Sequence, residues 1–231
     1  MDARMALVGR GLNRDGWAPV LRLLRERNVS WGVHEAPESL TEPCDLGLLL
    51  GCSRLLPPET LNLARLGFVV LHSSDLPLGR GFAPIYNTLT RGLPLVQTLL
   101  FAASGADSGD ILAKARYPLD GDETEEEVRR IDDALSVLLL EATLDDLLAG
   151  AARGVPQDEA RASWWPRRRA EDSRLDPTRS VAELFDHLRA LPAEAPAFFE
   201  HRGRRFALRL EALGPARDFD PRRVILERHN D

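Results

Sequence analysis

Very few residues here suit metal binding or disulfide chemistry. Two cysteines occur in 231 residues, Cys44 and Cys52. They make no C-x-x-C spacing and join no Cys/His cluster, so neither a disulfide framework nor a structural zinc is expected, and reduced thiols are the plain reading. Lysine is nearly absent: Lys114 stands alone and every other fixed cation is arginine, which reads as the codon usage of a GC-rich genome. No apolar run approaches the ~20 residues that span a bilayer. The N-terminal stretch lacks the apolar core of a signal peptide, so a cytoplasmic protein with no membrane partner is expected. A net charge of −6 leaves little positive surface for nucleic acid, because such binding rests on neutralising phosphates. A dinucleotide fingerprint is missing too. Gly9 and Gly11 follow the first apolar run, but Arg14 stands where a third glycine belongs.

The apolar fraction of 44% and charged fraction of 29% are those of an ordinary globular chain. Short β-branched or leucine-rich runs alternate with helical patterns. Strands are expected at Met5 to Val8, Val29 to Val33, Leu46 to Leu50, Phe68 to Leu71, Leu93 to Ala102 and Asp110 to Tyr117. Asp15 is placed to cap a first helix with Trp17, Val20, Leu21 and Leu24 on one face. Another short helix covers Ile85 to Thr90. Thr124 with Glu127 forms a capping box for a long helix, whose buried face would carry Val128, Ile131, Leu135, Leu138 and Ala142. Glu126 and Arg130 are an exposed i,i+4 pair on it. This pattern predicts an α/β fold with a Rossmann-like, mostly parallel sheet over residues 1–152. Residues 153–231 read as a connector followed by a small helix and hairpin, with Ser180 as helix cap and the turn at Arg202-Gly203.

The stretch GFVVLHSSDLPLGRGFAP, residues 67–84, draws the most attention. It is a buried strand ending in His72, followed by a loop rich in Ser, Pro and Gly, which is where open α/β sheets hold ligands. A second polar loop, Ala103 to Gly109, contains Asp107 after another apolar strand, so both side chains are expected at one end of the sheet. A carboxylate that orients and charges an imidazole is a common acid/base pair.

These residues also carry a family resemblance. LHSSDLPLGRGFAPI is similar to the N-x-H-x-S-x-L-P … R-G-x-x-P-I signature of the 10-formyltetrahydrofolate-dependent formyltransferases, and Gly105-Ala106-Asp107-Ser108-Gly109 resembles their second signature. Ser53 to Pro57 looks like the segment lining their pterin pocket, and Pro166 to Asp176 like the stretch closing their catalytic domain. The resemblance implies the formyltransferase fold and 10-formyltetrahydrofolate as co-substrate. It implies His72 and Asp107 as catalytic residues, and Arg54, Leu55, Leu56, Ala103, Ser104, Gly105 and Asp107 around the folate. Ser74 and Arg80 are assigned to the substrate, Arg80 because guanidinium matches an anionic group. No metal is implied.

The best match is to small enzymes that formylate a primary amine of an amino sugar or nucleotide-linked sugar. The alternatives are a methionyl-tRNA formyltransferase-like enzyme and a non-catalytic folate-binding homologue. A homodimer through the apolar hairpin at 198–210 is a further expectation. One departure stands out: Val70 occupies the place of the family's asparagine, an oxyanion donor. A backbone N–H or Asn87 is then needed to take its place, or the enzyme is slow, or the activity has changed.

Overall fold

The computed structural model describes residues 3–9, 17–52 and 54–229; the expected cap Asp15, the turn around Gly11 and Arg14, and Ser53 lie outside the described residues. Seven strands form the main sheet in the order β11-β7-β6-β4-β3-β1-β2. They are β1 (Arg4–Val8), β2 (Ser30–His34), β3 (Leu46–Leu49), β4 (Phe68–His72), β6 (Leu95–Phe101), β7 (Ile111–Tyr117) and β11 (Ile225–Arg228). β1 to β4 pair in parallel; β6 is antiparallel to β4, β7 to β6, and β11 to β7. Five strands therefore point one way, and β6 and β11 point the other.

Alternation along the strands builds two apolar faces. Met5, Leu7, Leu46, Leu48, Val69 and Leu99 point to one face. They pack there against α1 (Ala18–Glu26), α3 (Pro84–Thr90) and α4 (Glu125–Ala149) through Val20, Leu24, Ile85, Leu89, Val128, Ile131 and Leu135. Each such side chain, fully buried, contributes about 2 kcal/mol. The residues between them, Ala6, Val8, Leu49 and Phe68, face the other way and join Leu40, Cys44, Leu56 and Ala64 in a second cluster, against which Leu61 of the short helix α2 (Pro58–Leu61) packs. His72, four residues after Phe68, shares that second face by the same alternation.

The Thr124–Glu127 capping box forms as expected, and Gly150 closes α4 in the left-handed region at φ 68°. The Glu126–Arg130 pair is also present, at 2.7 Å. The buried stripe of α4 differs from the sequence reading. Leu138 and Ala142 are only half-buried, whereas Asp132, Ser136, Leu139, Leu140 and Thr143 are buried. Ser180 caps α5 (Val181–Arg189) with Glu183, and β9 (Ala197–His201) pairs with β10 (Arg204–Leu208) as the expected hairpin. Residues 153–231 do more than append a subdomain. β11 adds an edge strand to the main sheet, and β8 (Trp164–Trp165) pairs with β5 (Arg80–Gly81) in the loop after His72.

Candidate active site

Two strand directions decide how His72 and Asp107 meet. β6 runs against β4, with Phe101 opposite Val69 and Thr98 opposite His72. The end of β6 therefore lies about 10 Å short of His72 along the sheet, not beside it as the expectation of a common end supposed. The loop after β6 is pinched at its base, where Phe101 N–H donates to Asp110 O and Ala102 N–H donates to Phe68 O. From there it doubles back and delivers Asp107 to the histidine.

Asp107 Oδ2 lies 3.7 Å from His72 Nδ1, and both side chains are largely buried. The same oxygen accepts a 2.9 Å hydrogen bond from Gly81 N–H. His72 Nε2 sits 2.9 Å from Gly79 O. A carbonyl only accepts, so Nε2 carries a proton and Nδ1 is the nitrogen turned to the carboxylate. The backbone is shaped for this contact. Asp107 is held at φ 51°, a left-handed conformation that Asp tolerates better than most residues. At Gly81 (φ 104°) a Cβ would lie 2.6 Å from Trp165 O, and at Gly79 (φ 74°) it would meet the Trp165 ring at 2.6 Å. Only glycine fits at either position.

Arg80, expected to receive an anionic substrate group, is instead turned inward. It is 2% exposed. Its Nε and one terminal nitrogen donate to Gln157 Oε1 at 3.1 and 2.8 Å, and its fork closes on Glu159 at 2.9 and 2.6 Å. Gln157 completes the link by donating from Nε2 to Asp107 O at 2.8 Å and Gly109 O at 2.7 Å. Arg80 thus anchors the Asp107 loop through Gln157. Nothing in the sequence marked Gln157, because its partners are about fifty and eighty residues away and it belongs to no periodic element. Trp164 covers the Arg80 guanidinium at 5.7 Å.

Ser74 is 2% exposed; its carbonyl accepts from Thr98 Oγ1 at 2.6 Å, and its own Oγ has no partner among the described residues. Asp75 is held between Lys114 at 2.6 Å and Arg116 at 2.7 Å. Burial pushes its carboxyl up, but those two cations outweigh burial and keep it below the ordinary carboxylate value. Asn87, expected as a candidate oxyanion donor, has its side chain engaged elsewhere. Its amide donates to Phe82 O and Ala83 O, and its oxygen accepts from Arg91. Val70 lies against Leu76, Leu100 and Ile111.

The residues expected around the folate fall into two groups. Leu56 is buried in the second apolar cluster, against which Cys52, Val70 and Ala102 pack, so the segment after β3 and the start of the Asp107 loop share one apolar face. Leu55 is 56% exposed, and Arg54 pairs with Glu38 at 3.2 Å. In the loop, Ala103 and Gly105 are half-buried and Ser104 is exposed. Among the described residues no group of His, Cys, Asp and Glu could hold a metal ion, and no helix is long and apolar enough to cross a membrane.

Residues 34–143, which hold β4, His72 and Asp107, match the formyl transferase domain family. A methionyl-tRNA formyltransferase of Koribacter versatilis (strain Ellin345) is 30% identical over 187 residues, covering 80% of this chain and 60% of that protein. The chain thus spans about three-fifths of the length of that relative. A sugar N-formyltransferase from Shewanella sp FDAARGOS_354 superposes with a TM-score of 0.73 at 16% identity, covering 91% of this chain and 98% of the other. HypX from Aquifex aeolicus, solved with tetrahydrofolic acid, gives 0.75 at 20% identity over 91% of this chain and 38% of that one. The fold is the α/β fold of formyltransferases. Residues 34–143 thus match the formyl transferase domain family, and the chain as a whole is similar to formyltransferases.

Proposed function

We propose that this protein transfers the formyl group of 10-formyltetrahydrofolate to a primary amine of a small molecule, with an amino sugar or nucleotide-linked amino sugar as the acceptor class. The observation that carries the reading is the enclosed His72–Asp107 pair, built by a looped-back segment and held by backbone groups and Gln157. The folate fits the residues present. The apolar face formed by Leu56, Val70 and Ala102 suits a flat ring, and the exposed Leu55 with loop residues 103–105 suits its edges. When bound, the folate supplies an electrophilic formyl carbon.

The chain's own residues then have separable tasks. Asp107 is the proton acceptor for the attacking amine, directly or through a water, and Gly81 N–H fixes the direction of its lone pairs. His72 is held at the reacting centre, with Nε2–H on Gly79 O and Nδ1 turned to Asp107, beside the place where the formyl oxygen becomes an oxyanion. The proton that Asp107 takes from the amine goes to the leaving N10 nitrogen as its bond to the formyl carbon breaks, so that the formylated amine and tetrahydrofolate are the products. The acceptor class rests on the likeness to a sugar N-formyltransferase of nearly the same extent and on the acidic charge balance.

The test is formyl transfer from 10-formyltetrahydrofolate to a panel of amino sugars and nucleotide-linked amino sugars, followed by mass spectrometry of the acceptor. A mass gain of one formyl group on an amino sugar supports the proposal. Folate binding without transfer to any amine would overturn it in favour of a binding module.

A further inference from the structure

The face of the sheet opposite His72 holds a second polar site. Leu71 and Ser73 point there because they alternate with His72 along the chain. A cavity of about 480 Å³ opens between them, α3 and α4. Its floor is an unusual polar cluster on what is otherwise the main apolar core. Ser73 Oγ donates to Asp132 Oδ2 at 2.8 Å, Gln97 Nε2 donates to Ser136 Oγ at 2.7 Å, and Ser136 Oγ donates to Asp132 O at 2.9 Å. Ser136 has one proton and gives it to a carbonyl, so it accepts from Gln97, which fixes the orientation of the Gln97 amide.

That network uses both serine hydroxyls and one Gln97 amide hydrogen, and leaves two acceptors over. Gln97 Oε1 and Asp132 Oδ1 are both buried with no partner among the described residues. Gln97 is 2% exposed and Asp132 7% exposed. Leaving such groups unpaired costs about 1–3 kcal/mol each, and hydrophobic residues would have served the core better. The rim carries the Glu125–Arg129 ion pair, with Asp133 adding a further acidic group. Arg168, also at the rim, is directed to Ser173 and Ala195. The cavity is thus lined by two residues with unpaired acceptors, one of them a buried carboxylate, with no cation on its floor among the described residues.

We propose that this cavity is a binding site for a small polar molecule that presents a primary ammonium group to Asp132 Oδ1 and Gln97 Oε1. Asp132 turns Oδ2 to Ser73 and Gln97 turns Nε2 to Ser136, so the remaining oxygen of each side chain is the one left for a ligand's ammonium group. Burial lifts the Asp132 carboxyl to about 7, against the Ser73 hydrogen bond, and a bound cation would return it to the ionised form. The site is independent of formyl transfer: it lies on the other face of β4 and none of the residues assigned to the reaction lines it.

The experiment is NMR titration of the full chain, following the Gln97 side-chain amide, with three probes: methylammonium, glucosamine and glucose. Methylammonium and glucosamine are expected to shift that resonance at concentrations up to about 50 mM, enough to detect a Kd near 10 mM, and glucose is not. Asp132→Asn, which keeps the size and the Ser73 contact, is expected to weaken amine binding at least about tenfold. Gln97→Met, read through backbone amides around Ser136, is expected to weaken it less. An unshifted resonance with both amines overturns the proposal, as do equal shifts with glucose or an Asp132→Asn protein that binds amines as tightly as the parent.

Discussion

Asp132→Asn isolates the cost of placing a carboxylate on the core-facing stripe of α4. Burial lifts this carboxyl from 3.8 to about 7; Asp133 pushes the same way, while Ser73 and Arg129 oppose it. Between those values the folded protein holds a proton that the unfolded chain has released. Stability attributable to Asp132 is therefore full below about pH 4 and falls as pH rises to 7, by ~1.4 kcal/mol per pH unit. The whole effect is about 4 kcal/mol, an upper bound because water entering the adjacent cavity solvates the charge. Asparagine has the same shape and no charge. It is expected to match the parent protein near pH 4 and to be more stable by ~2–4 kcal/mol at pH 8. Urea unfolding of both proteins at pH 4.5, 6, 7 and 8 measures the difference, from which other titrating groups cancel. A difference that does not change with pH would refute the reasoning.

Three further substitutions probe the active site. Gly81→Ala forces a side chain into a left-handed backbone position and into Trp165 O, and is expected to lower stability by about 2 kcal/mol or more, measured by thermal unfolding. Gln157→Ala removes the bridge from Arg80 to the Asp107 and Gly109 carbonyls; kcat is expected to fall about tenfold with a smaller change in KM, and steady-state kinetics would show it. Val70→Asn puts an amide donor two residues before His72, where the sequence resemblance implies an asparagine. It is expected to raise kcat about tenfold or more at a cost of ~1–2 kcal/mol in stability; unchanged turnover would show that another donor already serves.

Much of this architecture was legible in residue pattern. Capping residues announced α4, β-branched runs marked the strands, and polar loops picked out both His72 and Asp107. Strand direction was not legible, because alternation has the same period either way. The antiparallel β6, and with it the doubling-back of the Asp107 loop, therefore came only from the structure. β11 escaped notice because it is a short edge strand whose Ile225 and Leu226 remain exposed. Arg80 was assigned to an anionic substrate group, because nothing in the sequence shows that Gln157 and Glu159, distant along the chain, are brought onto it. Asp132 and Ser136 fell on a buried face that a search for apolar periodicity skips.

The most direct test of the central claim compares the parent protein with His72→Ala for two quantities: tetrahydrofolate affinity and the rate of formyl transfer to an accepted amine. The histidine is assigned to the reacting centre and the folate to the apolar face of Leu56, Val70 and Ala102. The expected result is nearly unchanged tetrahydrofolate binding with transfer reduced by about 10²–10⁴-fold. Transfer at the parent rate would contradict the account.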